Sequence, residues 1–145
     1  MVSKTLYSSK SDEWATPEEI FDSLNEEFGF TLDPCSTEKN HKCETYYTRE
    51  QDGLKMPWGG YSVFCNPPYS NISAWVEKAF RESRNDNTLV VMLIPSRTDT
   101  KYFHNFIYQR AEIRFIKGRL RFKGEGKLDN APFPSMIVIF RGAYV

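Results

Sequence analysis

Asn66, Pro67, Pro68 and Tyr69 stand between a short apolar run, YSVFC at 61–65, and the segment NISAWVEKAF. Proline fixes φ and gives up its N–H, so two in succession end a hydrogen-bonded ladder and keep the chain stiff and extended. Backbone carbonyls then lose their ladder partners beside an Asn amide and an aromatic ring. Such a cluster suits a planar group bearing an NH2, with acceptors for the N–H bonds and a ring face for the plane. The plainer reading of the same four residues is a strand terminator.

Other reactive residue types point to less chemistry. Three cysteines, an odd number, indicate reduced thiols in a cytosol rather than a disulfide framework. Cys35, His41 and Cys43 are close in the chain, but their spacing matches no zinc pattern and no fourth ligand is evident, so no metal is expected. Cys65 reads as a buried strand residue and not as a nucleophile.

The elements that must position the cluster follow from periodicity. The 145 residues suit one domain, with 1–13 as a polar, aperiodic arm. Thr16 and Pro17 predict an N-cap and first helical position, Ile20, Phe21, Leu24 and Phe28 share one helical face, and Gly29 stops the helix. FTLDP predicts a strand ending at Asp33 and Pro34, ETYYT a second, and YSVFC a third. A helix is predicted over 71–84, then a central buried strand at TLVVMLIP, a helix over 99–109 carrying His104, and strands at AEIRFIK and SMIVIF. This alternation argues for an open α/β sheet with a mostly parallel centre. Ligands in such sheets bind at the carboxyl ends of strands, which brings Asp33-Pro34-Cys35, Asn66 to Tyr69 and Pro95-Ser96-Arg97 to one edge.

Charge is divided along the chain. Residues 1–60 hold six basic against twelve acidic side chains, and 61–145 hold thirteen against seven. The basic excess gathers in 97–127, where Arg97 follows the central strand and KGRLRFKGEGK interleaves Lys117, Arg119, Arg121, Phe122 and Lys123. These residues suit phosphate and base contact. RLRF equally suits a surface strand with Leu120 and Phe122 inward. No apolar run is long enough to span a bilayer, and the first residues have no signal-peptide character.

The order ATPEEI, LDPCS, DGL, NPPYS, LIPSRTDT, FIKGRLRF and PFPSMIVIF resembles the small Dam-type DNA N6-adenine methyltransferases of phages and prophages, from Asp12 to Phe140. The resemblance implies a single-domain, Rossmann-like class I sheet that binds S-adenosylmethionine, mostly parallel with an antiparallel C-terminal edge. It implies double-stranded DNA as the partner, GATC as the target and the host cytoplasm as the place of action. Adenine N6 is a poor nucleophile because its lone pair is delocalised into the ring. Acceptance of its N–H bonds by the Asn66 side-chain oxygen and the Pro67 carbonyl favours a pyramidal nitrogen, and Tyr69 stacks on a base rotated out of the duplex.

For the cofactor, the resemblance maps Thr16 and Pro17 onto the methionine carboxylate, Asp33 onto the ammonium and Asp52 onto the adenosine, with Glu44 as a competitor for the last. Pro34 and Cys35 adjoin these contacts, although DPCSTEKN lacks the glycines usual in related enzymes. Trp14 and Trp58 either wall the cofactor or fill the core. The NPPY element also occurs in enzymes that methylate RNA or protein glutamine, which is the alternative activity. No recognition domain is visible, so target reading falls to loops or to a second subunit of a dimer.

Overall fold

Seven consecutive residues form β4, Leu89–Pro95, and every one is buried. A strand hides both faces only inside a layered sheet. The computed structural model, which describes residues 15–124 and 127–142, places β4 there. Its neighbours are β1 (Leu32–Ser36), β2 (Thr45–Thr48), β3 (Ser62–Cys65), β5 (Glu112–Phe115) and β8 (Ser135–Phe140), in the order β2-β1-β3-β4-β8-β5. The first four of that order run parallel, while β8 is antiparallel to both β4 and β5. The Rossmann-like sheet is therefore mostly parallel, and its antiparallel side is built by β8 with β5 outside it. Among the described residues, β6 (Arg121–Gly124) and β7 (Lys127–Asn130) pair only with each other, as an antiparallel hairpin.

Alternation along the strands divides the core into two layers. Leu89, Val91 and Leu93 face Phe21 and Leu24 of α1 (Glu18–Phe28), together with Phe30 and Phe64. Val90, Met92 and Ile94 face Ile72, Trp75, Val76 and Ala79 of α2 (Ile72–Glu82). Each large side chain so buried contributes about 1.5–3 kcal/mol, enough to hold both helices without strong intrinsic propensity.

Three elements differ from expectation. Helix α1 ends at Gly29 in the left-handed region, as predicted, but Pro17 and not Thr16 occupies the capping position. The Pro17 carbonyl accepts the N–H groups of Ile20 and Phe21, each at 3.1 Å. β1 does not stop at Asp33-Pro34; it continues to Ser36 through an irregularity of register between Asp33 and Ser36. That irregularity accommodates Pro34, which has no N–H for the ladder. The helix expected over 99–109 is reduced to a short stretch built on a π-helical turn, Phe103–Ile107, closed by Tyr108 N–H to the Phe103 carbonyl at 2.7 Å. Gln109, at φ 62°, turns the chain out of it. The expected 1–13 arm and Trp14 lie outside the described residues.

Candidate active site

Because β1, β3 and β4 are parallel, their carboxyl ends share one edge, and a cavity of about 490 Å3 opens there. Thr16, Asp33, Pro34, Cys35, Asp52, Asn66 and Pro68 all line it. Seven residues singled out in the sequence thus converge from four separate parts of the chain. Pro17, Pro67 and Tyr69 adjoin lining residues in the chain but are not part of the wall. Lys42, Arg49, Gly53 and Trp75 are wall residues that sequence reasoning missed. The volume is within the usual range for small-molecule sites.

Asp33 is the buried charge of the site, 5% exposed. One carboxylate oxygen accepts the Cys35 backbone N–H at 3.2 Å, the other that of Lys42 at 2.9 Å. Burial outweighs these two bonds and raises its pKa to about 6. A cation entering the cavity would relieve that cost. Asp52 sits on the wall at φ 60°, a left-handed conformation that Asp tolerates, and its Oδ1 accepts the Leu54 N–H at 3.1 Å. Glu44 is exposed and off the wall. Trp58 is fully buried and donates Nε1–H to the Gly53 carbonyl at 2.9 Å, so it braces the turn beside the cavity. At Gly53 an added Cβ would overlap the Pro34 carbonyl oxygen and press on Trp75.

The acceptor end is built where β3 stops. Asn66 follows the last residue of that strand, and its Nδ2 donates to Thr16 Oγ1 at 2.9 Å. Pro68 precedes a single 3-10 turn, Tyr69–Asn71, which leads directly into α2. Tyr69 meets Phe133 edge to face, centroids 5.1 Å apart at 85°, and its hydroxyl is buried with no hydrogen-bond partner among the described residues. Burial pushes that phenol well above its ordinary pKa. Cys65 is fully buried with its Sγ 3.8 Å from that of Cys35, and burial also raises the Cys35 thiol. Neither is suited to nucleophilic attack.

Register places the basic segment at this same edge. Ser135 pairs with Pro95 and Met136 with Phe115, so the chain from 116 to 134, hairpin included, leaves the sheet at the carboxyl ends of β4 and β5. Phe133, on the hairpin's return, is the residue that touches Tyr69. Lys117, Arg119 and Arg121 are exposed while Leu120 is buried; 117–120 form a bend and loop, and the strand starts only at Arg121. Phe122 and Lys123 belong to β6, but their side chains lie outside the described residues. Arg97 is exposed just after β4, and His104 is exposed on the π-helical turn. No helix among the described residues is long and apolar enough to cross a membrane.

A profile of the family described as DNA N-6-adenine-methyltransferase (Dam) matches residues 3–144. The chain is 35% identical over 147 residues to the DNA N-6-adenine-methyltransferase of Haemophilus phage HP1 (strain HP1c1), covering 97% of this chain and 84% of that protein. It is also 35% identical over 111 residues to the DNA N-6-adenine-methyltransferase of Escherichia phage T1, covering 75% of this chain and 46% of that relative.

Proposed function

We propose a specific reaction for this chain, which belongs to the DNA N-6-adenine-methyltransferase (Dam) family: methyl transfer from S-adenosylmethionine to N6 of an adenine rotated out of double-stranded DNA. One observation carries the reading. The Asn66 carboxamide stands at the carboxyl end of β3, on the wall of a cavity that also contains a buried carboxylate.

The cavity fits such a cofactor in its volume, its buried anion and the close wall that Gly53 allows. When bound, S-adenosylmethionine supplies an electrophilic methyl on a sulfonium. The protein's part is binding and orientation. Asp33 pairs with the ammonium, while the Thr16 hydroxyl and the start of α1 face the carboxylate, where helix dipole and hydroxyl both favour an anion. Asp52 serves the adenosine, and Pro34, Cys35 and Trp75 shape the wall around it. Asn66 Oδ1 and the Pro67 carbonyl accept hydrogens of the target amine, which turns its lone pair toward the methyl. Pro68 stiffens this segment, and Tyr69, held on edge by Phe133, presents its ring to the extruded base.

Arg97, Lys117, Arg119 and Arg121 would meet phosphates at the same edge, with Phe122 and Lys123 on the hairpin beside them. The host cytoplasm is the compartment proposed for the reaction. Incubation with labelled S-adenosylmethionine and, separately, DNA, RNA and a protein extract tests the substrate class. Label confined to DNA is expected; label confined to RNA or protein would overturn the reading.

A further inference from the structure

Thr16 is 6% exposed, and its Oγ1 lies 2.9 Å from Nδ2 of a residue fifty positions later in the chain. The nitrogen is the donor, so the threonine oxygen accepts. A carboxamide has an acceptor end and a donor end of nearly equal size, and a half-turn of the group exchanges them. Facing an amine, the two orientations are not equivalent: oxygen toward the amine makes a hydrogen bond, and NH2 toward NH2 opposes two donors. We propose that Thr16 is a positioning residue whose oxygen, by taking the Nδ2–H of Asn66, holds the carboxamide oxygen toward the target amine. This rests on the reading of Asn66 as an acceptor for that amine.

Local structure suits Thr16 to the task. Pro17, with φ near its fixed value, takes over the cap of α1, so the Thr16 hydroxyl is not used in starting the helix. Threonine is branched at Cβ and holds few side-chain rotamers, so its oxygen is presented in a defined place. A hydroxyl has two lone pairs and one hydrogen. Accepting from Asn66 therefore still lets Thr16 donate its hydrogen into the cavity, so one oxygen links the cofactor end of the site to the acceptor end.

The test separates positioning from cofactor binding. Single-turnover methyl transfer to a duplex oligonucleotide is measured at saturating S-adenosylmethionine, with cofactor affinity obtained by calorimetry. Thr16→Val should lose about 10–100-fold in the saturated rate, a loss that remains at saturating cofactor and so is separate from the weaker cofactor binding expected when the hydroxyl facing the carboxylate is removed. Thr16→Ser, which keeps the acceptor, should recover most of that loss. Thr16→Ala carries the same expectation as Thr16→Val and replaces it if the valine variant does not fold. A wild-type rate in either variant, a defect abolished by more cofactor, or failure of serine to rescue would overturn the proposal. Asn66→Ala distinguishes the two levels. Normal turnover in that variant removes the acceptor reading and this proposal with it; loss of turnover there beside a normal Thr16→Val removes the positioning role alone.

Discussion

The Asp33 carboxylate accepts the backbone N–H of Lys42 at 2.9 Å, nine residues along the chain, so one buried side chain at the sheet edge closes the loop that follows β1. The same group carries a pKa of about 6 in the folded protein, against an ordinary 3.8. A carboxyl raised on folding binds its proton more tightly in the native state. Its contribution to stability is therefore complete below about pH 4 and is lost as the pH rises through about 6. Relative to Asp33→Asn, the wild-type protein should lose up to about 3 kcal/mol of unfolding free energy across that window. Urea unfolding of both proteins at several pH values checks this, and a constant gap would contradict it.

Cofactor affinity should move the other way. Pairing with an ammonium needs the ionised carboxylate, so affinity for S-adenosylmethionine should fall below about pH 6, by at most about tenfold per unit. Asp33→Asn should bind about 1.5–3 kcal/mol more weakly near neutrality and show little of this pH dependence. Calorimetry at pH 7.5 and 5 is the measurement. Wild-type affinity that stays flat would move the ammonium's partner elsewhere, with Asp52 next in line.

Gly53 tests the wall of the cavity. A methyl group there would overlap the Pro34 carbonyl oxygen and crowd Trp75, and neither backbone oxygen nor buried indole gives way easily. Gly53→Ala should cost about 1–3 kcal/mol in stability and weaken cofactor binding in the protein that remains folded. Thermal unfolding with and without cofactor would show both effects; a stable variant with full affinity would mean that the turn moves freely.

The basic residues at the start of the hairpin and just before it test the proposed DNA face. Changing Lys117, Arg119 and Arg121 together to Gln should weaken binding to every DNA sequence alike. It should also flatten the dependence of log affinity on log salt by up to about 0.9 for each lost phosphate contact. Cofactor affinity should hardly change, because none of the three lines the cavity. An unchanged salt slope in a folded protein would leave the segment as a solvated surface and make Arg97 the better phosphate contact.

What was legible in the sequence was what local pattern controls. The run at 88–95, the helical face from Ile72 to Phe80 and the break at Pro67-Pro68 each declare themselves within a few residues, and the parallel sheet then brings Asp33 and Asn66 to one edge. What escaped depended on partners distant in sequence. The Thr16 hydroxyl looked like a helix cap because its bond to Asn66 spans fifty positions. β1 seemed to end at Pro34 because a register irregularity that tolerates proline leaves no local signal. Trp75 reads as an ordinary core residue of α2, and only the close approach at Gly53 brings it to the cavity wall.

The central claim is most directly tested by identifying the methylated nucleoside. Purified protein, S-adenosylmethionine and unmethylated duplex DNA, followed by digestion and mass spectrometry, should yield N6-methyladenine. Asn66→Ala, which in the proposed mechanism removes one acceptor at the amine and no direct cofactor contact, should form it on the order of 100-fold more slowly or worse. Methyl groups on cytosine, or an Asn66→Ala variant that forms N6-methyladenine at the wild-type rate, would contradict the account.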